Sequence, residues 1–466
     1  MNLKVLLLAS ELFPYAKTGG LGEAISILSK ELRRQNIDAR VIFPKYKTLS
    51  KYDNLSTVCK FPIGIKWRHH QAHVLQINDN TELFAYTIAN DHFFLRDNFY
   101  GYEDDFERFN FFTLAALELL KHIDFKPHII HFNDWQVGLG SFYLKEKYSA
   151  YDEHFYQNIS SVFSIHNIQH QGNFDKGILS PLDIPEYYYT PELIELFGKV
   201  SFMKSGIVYS DIITTVSETY AKEIQTPAYS YGLDGVISSR KKDLFGIING
   251  IYYNDTNGSI IKDKKYLQER VALPIKNVPV IALITRLVEQ KGIDIIALAL
   301  EEILSHELQL IVLGTGEYRY ENLFLDYGRR YKNLSSHIYF STELSLDIYK
   351  HSDMFLMPSL FEPCGLSQMI SMKYGTIPIV RKTGGLEDTV QHFNAKNKTG
   401  NGFVFEDYDA NGLMWALKEA LNLYNNQSLW KIVCENALKS KFTAEDSAKK
   451  YIEIYKKIAN KKISVV

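Results

Sequence analysis

A chain of 466 residues exceeds one ordinary core and calls for two domains of roughly 200 residues or somewhat more. Its 46% hydrophobic and 23% charged residues, with a net charge of −2, are those of a soluble globular protein, and exclude recruitment to nucleic acid or anionic membrane by bulk charge. No apolar run approaches the roughly 20 residues that span a bilayer, and three cysteines (Cys59, Cys364, Cys434) without metal-like spacing fit a reducing, cytoplasmic setting.

Taken in order, residues 5–9 form an apolar β-type run, cut by Glu11 and Pro14 too early for a signal peptide. Lys17-Thr18-Gly19-Gly20-Leu21 follows and opens a segment with apolar residues at helical spacing (Leu21, Ile25, Leu28, Leu32). Strand, glycine pair and helix together point backbone N–H groups and a positive helix end at an anion. A strand is expected over 39–43, and the pieces at 72–77 and 82–88 read as a hairpin insertion. A helix covers about 105–122, with strands at 129–132, 161–165, 212–216 and 246–248 and a helix starting near Asp134. The polar stretch 252–277, with Asn257-Gly258 inside it, marks a hinge. Strands then recur at 280–284, 309–313, 338–340, 354–357 and 377–380, with a helix after Lys291 and a closing helix over 444–458. This alternation predicts an α/β protein of two doubly wound, Rossmann-like domains, 1–250 and 251–445, with an interdomain cleft. A C-terminal helix, 446–466, is expected to pack back on the first domain.

The pentapeptide returns as Lys382-Thr383-Gly384-Gly385-Leu386, again after an apolar run. One Gly-Gly pair only makes a tight turn, but two in matching contexts favour a charged ligand. Ligands of such sheets sit beyond the carboxyl ends of strands, where both loops fall. His166 ends one strand, and the default for a lone histidine is structural. Asn133-Asp134-Trp135 ends another, where Asp134 reads by default as a helix N-cap. Arg286 and Lys291 stand five apart at a strand-to-helix turn, where cations fit the helix dipole poorly and a diphosphate would suit both. Pro358-Ser359-Leu360-Phe361-Glu362-Pro363-Cys364-Gly365 holds Glu362 between apolar and proline neighbours, with Cys364 either a reactive thiol or a small apolar residue. Asp407-Tyr408-Asp409 has the spacing of a metal-chelating pair but precedes a helix, so capping is the stronger reading. His69, His70 and His73 have no further ligand cluster, and Gly314-Thr315-Gly316 lacks the third glycine of a dinucleotide fingerprint. No metal site and no cofactor are expected.

Together these runs resemble the bacterial glycogen synthases and starch synthases, retaining glucosyltransferases of family 5 with the GT-B fold. The likeness extends nearly end to end. It is carried by the two glycine loops, His131-Phe132-Asn133-Asp134-Trp135, His166-Asn167-Ile168-Gln169-His170-Gln171-Gly172, Asn249-Gly250-Ile251, Arg286-Leu287 with Gln290-Lys291-Gly292, and residues 361–365. The resemblance implies metal-independent transfer of glucose from ADP-glucose to the non-reducing end of glycogen or another α-1,4-glucan. By it, His166, Arg286, Lys291 and Glu362 are catalytic. Lys17, Gly19, Gly20, Phe340, Cys364, Gly365, Thr383, Gly384 and Gly385 bind the donor, with Phe340 where a ring would stack on the base. Asp134, Trp135 and Asn167 line the acceptor side. The chain departs from the family where Leu360 replaces a frequent arginine, Tyr252 an aspartate, Glu23 an aspartate and Leu346-Asp347 a His-Arg pair. The competing readings are a UDP-glucose enzyme, another retaining GT-B transferase, and a silent glucan-binding relative. No nucleic-acid or membrane partner is expected, and no motif bears on oligomeric state.

Overall fold

The computed structural model of the chain describes residues 3–79, 81–253 and 262–463; Asn257-Gly258 of the expected hinge lies outside them. Two compact units result, the first comprising Met1–Val216, Ala221–Gly250 and Ala444–Val466, the second Ser217–Tyr220 and Ile251–Thr443.

The strands of the first unit are β1 (Lys4–Leu8), β2 (Asp38–Pro44), β3 (Leu55–Ile65), β4 (Arg68–Ile77), β5 (Ala85–Ala89), β6 (Ile129–Asn133), β7 (Ser160–Ile165), β8 (Asn173–Asp175), β9 (Glu195–Leu196), β10 (Lys199–Ser201), β11 (Ile212–Thr215) and β12 (Leu244–Gly246). Nine of them form one sheet in the order β12-β11-β7-β6-β1-β2-β5-β4-β3, and β8, β10 and β9 form a small separate one. Val5, Leu6, Leu7 and Leu8 of β1 are fully buried, as a central strand covered on both faces requires. The piece expected at 82–88 is not part of the hairpin insertion alone: β3 and β4 make that hairpin, while β5 pairs parallel with β2 and so extends the main sheet. The helix Gly20–Arg34 buries Ile25, Leu28 and Leu32 and carries Glu23 in its first turn and Arg33 and Arg34 in its last, matching the dipole. The helix Ala444–Ile463 returns to this unit, where Tyr455 is buried and its hydroxyl meets His131 Nδ1 at 2.7 Å.

The second unit holds β13 (Val280–Ile284), β14 (Gln309–Leu313), β15 (Leu334–His337), β16 (Met354–Met357), β17 (Ile377–Arg381) and β18 (Phe403–Phe405) in one sheet, ordered β15-β14-β13-β16-β17-β18 and parallel throughout. The strand expected at 338–340 lies earlier. Its partner β14 ends at Leu313, where Gly314 (φ +153°) donates its N–H to His337 O and closes the ladder. Among the described residues no helix is long and apolar enough to cross a membrane.

In each sheet the chain order reverses beside one strand, between β1 and β6 in the first unit and between β13 and β16 in the second. A crevice opens at the carboxyl ends at such a point, and those ends carry the singled-out residues.

Candidate active site

In the first unit the glycine loop is organised by a buried acid. Glu11, 3% exposed just beyond β1, accepts from Thr18 N at 2.8 Å, Thr18 Oγ1 at 2.5 Å, Gly19 N at 3.3 Å and Tyr100 OH at 2.8 Å. A buried carboxylate must be compensated by such donors, so Glu11 sets the loop's shape. A Cβ at Gly19 or Gly20 would meet nothing within 4 Å, so these two line open space; a Cβ at Gly22 would crowd Ala16 O at 3.1 Å. Lys17 Nζ pairs with Glu23 and lies 5.6 Å from the Phe13 ring centroid.

Beside it, at the ends of β6 and β7, Asn133 Nδ2 donates to Leu8 O (3.1 Å) and His131 O (3.0 Å). Those bonds fix the amide so that Oδ1 accepts from His166 Nε2 at 3.0 Å, which makes Nε2 the protonated nitrogen of a neutral ring and Nδ1 an acceptor. Burial pushes the His166 pKa down to about 4, so the ring is uncharged at neutral pH. Asp134 does not cap a helix with its side chain: it stands at φ +68°, buried, and the short helix after it receives no side-chain bond. Burial pushes its pKa up to about 8, opposed by the backbone N–H groups of His166, Asn167 and Trp135, and among the described residues its Oδ1 has no hydrogen-bond partner. Asn167 Oδ1 accepts from Gln169 N at 3.0 Å. Trp135 packs edge-on to Phe109 (5.3 Å, 80°) and leaves no room at Gly172 (φ +59°), where a Cβ would sit 2.3 Å from the indole. Trp135, His170, Gly172, Asn173 and Tyr231 help to line a hollow of about 460 Å³.

In the second unit Lys291 Nζ donates to Glu362 Oε2 at 2.6 Å, and Ser359 Oγ donates to the same oxygen at 3.1 Å. The pair is nearly covered, with side-chain exposures of 16% and 7%. Gly292 (φ +74°) permits it, since a Cβ there would lie 2.1 Å from Pro358 O. Arg286 follows β13 on an exposed turn. The second glycine loop packs on this cluster: Gly385 N donates to Glu362 O at 3.0 Å, and a Cβ at Gly385 would lie 2.1 Å from Cys364 O. The Gly385 amide, expected to face the donor, is therefore engaged, and this glycine serves by close approach. Thr383 is buried and begins the short helix Gly384–Thr389. Cys364 is buried and not disulfide-bonded, and Gly365 takes φ +71°, where a Cβ would crowd Gln368 Oε1 at 2.4 Å.

Thus His166, Asn167, Asp134 and Trp135 meet in one unit, and Lys291, Glu362, Cys364 and Gly385 in the other, while Phe340 stands on a loop, 78% exposed. Sequence reasoning missed Glu11, Tyr100, Asn133 and Ser359 as organisers. An acid placed just past an apolar strand, three residues beyond Leu8, was a usable signal for Glu11; Tyr100 reaches it from a loop and had none. Asp409 accepts from Gly412 N at 2.8 Å and so caps its helix. Among the described residues no group of three or more His, Cys, Asp or Glu side chains could hold a metal ion.

The model of the starch synthase catalytic domain matches residues 4–239, and that of the glycosyl transferases group 1 matches residues 267–432. A glycogen synthase of Desulforamulus reducens is 43% identical, covering 98% of this chain and 99% of its own, and one of Clostridioides difficile is 41% identical, covering 98% and 100%. The catalytic domain of starch synthase IV from Arabidopsis thaliana, solved with ADP and acarbose bound, superposes with a TM-score of 0.90 at 30% identity, over 99% of this chain and 100% of that one.

Proposed function

The chain belongs to the glycogen synthase and starch synthase family of GT-B glycosyltransferases, and from that premise we propose that it transfers glucose from ADP-glucose to the non-reducing 4-OH of an α-1,4-glucan, with retention and without a metal. The bound ADP of the Arabidopsis relative supports adenine over uracil in the donor, and its acarbose supports a glucan-like acceptor. The observation that carries the reading is the covered Lys291–Glu362 pair at the crevice between β13 and β16. An ammonium at a switch point, held by a carboxylate and with Arg286 nearby in the chain, is suited to a departing diphosphate.

The glucosyl C1–O bond to the diphosphate breaks as the acceptor 4-OH oxygen bonds C1 on the same face. The hydroxyl proton passes to the departing phosphate oxygen, and ADP leaves. Positive groups on that oxygen lower the barrier where charge develops. Lys291 and Arg286 fill this role, and Glu362 holds Lys291 and accepts from glucose hydroxyls. Neutral His166, with Nε2–H committed to Asn133, offers Nδ1 to a sugar hydroxyl. Lys17 and the open faces of Gly19 and Gly20 bind donor, as do Phe340, by stacking, and the Thr383–Gly384 turn. Asp134, Trp135 and Asn167, with the adjoining 460 Å³ hollow, hold the acceptor. The three cysteines are free of disulfides, in keeping with a cytoplasmic enzyme.

The test is nucleotide release from ADP-glucose and from UDP-glucose, with and without glycogen, in EDTA. Release of ADP that requires glycogen and survives EDTA is expected. Release from UDP-glucose alone would reassign the donor, release without glycogen would indicate a small acceptor or water, and no release would leave a silent glucan-binding protein.

A further inference from the structure

The helix Ala410–Asn425 buries Leu413, Met414, Ala416, Leu417 and Ala420, yet Trp415 between them is 50% exposed. Its indole is not stray. His392 lies nearly parallel to it at 5.4 Å and 19°, and Phe403 supports His392 edge-on at 5.8 Å and 90°. Val404 N donates to His392 Nδ1 at 3.1 Å, which places the proton of the neutral ring on Nε2, ready to donate. Trp415 and His392 border a hollow of about 440 Å³ that Lys382, Glu387 and Glu406 also line. Lys382 Nζ donates to Glu406 Oε1 at 2.8 Å, so this side chain is turned to the hollow rather than serving the glycine loop from which it springs.

The chemistry of the set is selective. A flat apolar face beside one ammonium and two carboxylates carries a net charge of about −1 at neutral pH, which disfavours a phosphate or nucleotide. A neutral polyhydroxyl ring fits: its C–H face covers the aromatic surface, and its hydroxyls find carboxylate acceptors and Lys and His donors. We propose that this hollow is a second α-glucan site, binding a glucose unit of the polymer on Trp415 and His392 with its hydroxyls on Glu387, Glu406 and Lys382, and that it tethers the polymer without taking part in transfer. Only the identity of the polymer rests on the function proposed above. Tethering raises the local concentration of chain ends, so it acts on a long glucan and not on a short one.

The experiment compares wild type with Trp415→Ala and Glu406→Ala by glycogen-affinity electrophoresis, and by turnover on glycogen and on maltotriose. Trp415 is half exposed, so its loss spares the fold, and circular dichroism checks this. Glycogen affinity about fivefold to tenfold weaker in Trp415→Ala is expected, with a matching rise in KM for glycogen and unchanged kcat and KM on maltotriose. Unchanged glycogen affinity in both variants would overturn the site, as would a parallel loss of maltotriose turnover. A wild type that binds glycogen through Trp415 but transfers no glucose would overturn the proposed reaction while supporting this site.

Discussion

Lys291 and Glu362 are a covered pair in which each side chain needs the other, and the cation is the group proposed to meet the leaving diphosphate. Lys291→Ala and Glu362→Gln are each expected to lower kcat by about 10²–10³-fold, the scale of losing one preorganised charge-stabilising group. Near-normal turnover in either variant would remove the assignment. Two buried groups contribute to the response of stability to pH with opposite signs. His131 has its pKa pushed by burial from 6.5 down to about 3, so the unfolded chain takes up the proton first as pH falls. Stability is lost between those values, by at most about 1.4 kcal/mol per pH unit for this one group. Asp134 is pushed from 3.8 up to about 8, so the folded chain keeps a proton that the unfolded chain releases, and its contribution declines as pH rises through that window. Melting temperatures followed from pH 4 to 9 check both: Asp134→Asn is expected to gain on wild type as pH approaches 8, and His131→Gln to lose its disadvantage in acid.

At the scale of elements, the carboxyl end of β6 and the C-terminal helix stabilise each other. His131 Nε2 meets Ser164 Oγ at 2.6 Å on β7, and Nδ1 meets Tyr455 OH at 2.7 Å, so the imidazole is tied to both elements without reaching solvent. Tyr455→Phe leaves a buried ring nitrogen unpaired and is expected to cost about 1–3 kcal/mol, a fall of several degrees in Tm. Turnover at temperatures where the variant is folded stays close to wild type, since no proposed substrate contact is touched. An unchanged Tm would show that the hydroxyl contributes nothing net. The glycine loops differ in the same way that their surroundings differ. Gly19 and Gly20 face open space, while Gly385 is pressed onto Cys364, so identical pentapeptides take distinct roles through what packs behind them.

At the scale of the molecule, a net charge of −2 supplies no strong long-range field. Electrostatic attraction of the anionic donor would rest on the local cations proposed for it, Lys291 and Arg286, while a neutral polymer responds to neither. Raising NaCl from about 50 to about 500 mM is therefore expected to raise the KM for ADP-glucose severalfold and to move that for glycogen by less than about twofold. Equal salt sensitivity of both would contradict that division of labour. The alternation of apolar strands and amphipathic helices was legible because each element answers to local periodicity, and strands at 309–313 and 354–357 fall where the pattern put them. The stretches around Lys17–Gly20, His166, Lys291 and Glu362 stood out as candidates because they follow apolar strands and, taken together, carry the family resemblance. Sequence did not reveal that β5 joins the main sheet, that β15 stops at His337, or that Asp134 is a buried acid at positive φ rather than a cap. Nor did it reveal that Glu11, itself bonded by Tyr100, holds the first loop through Thr18 and Gly19, or that Trp415 and His392 stack. Each of these depends on partners many residues away, and burial and pairing are decided by which strand ends and rings the completed fold brings side by side.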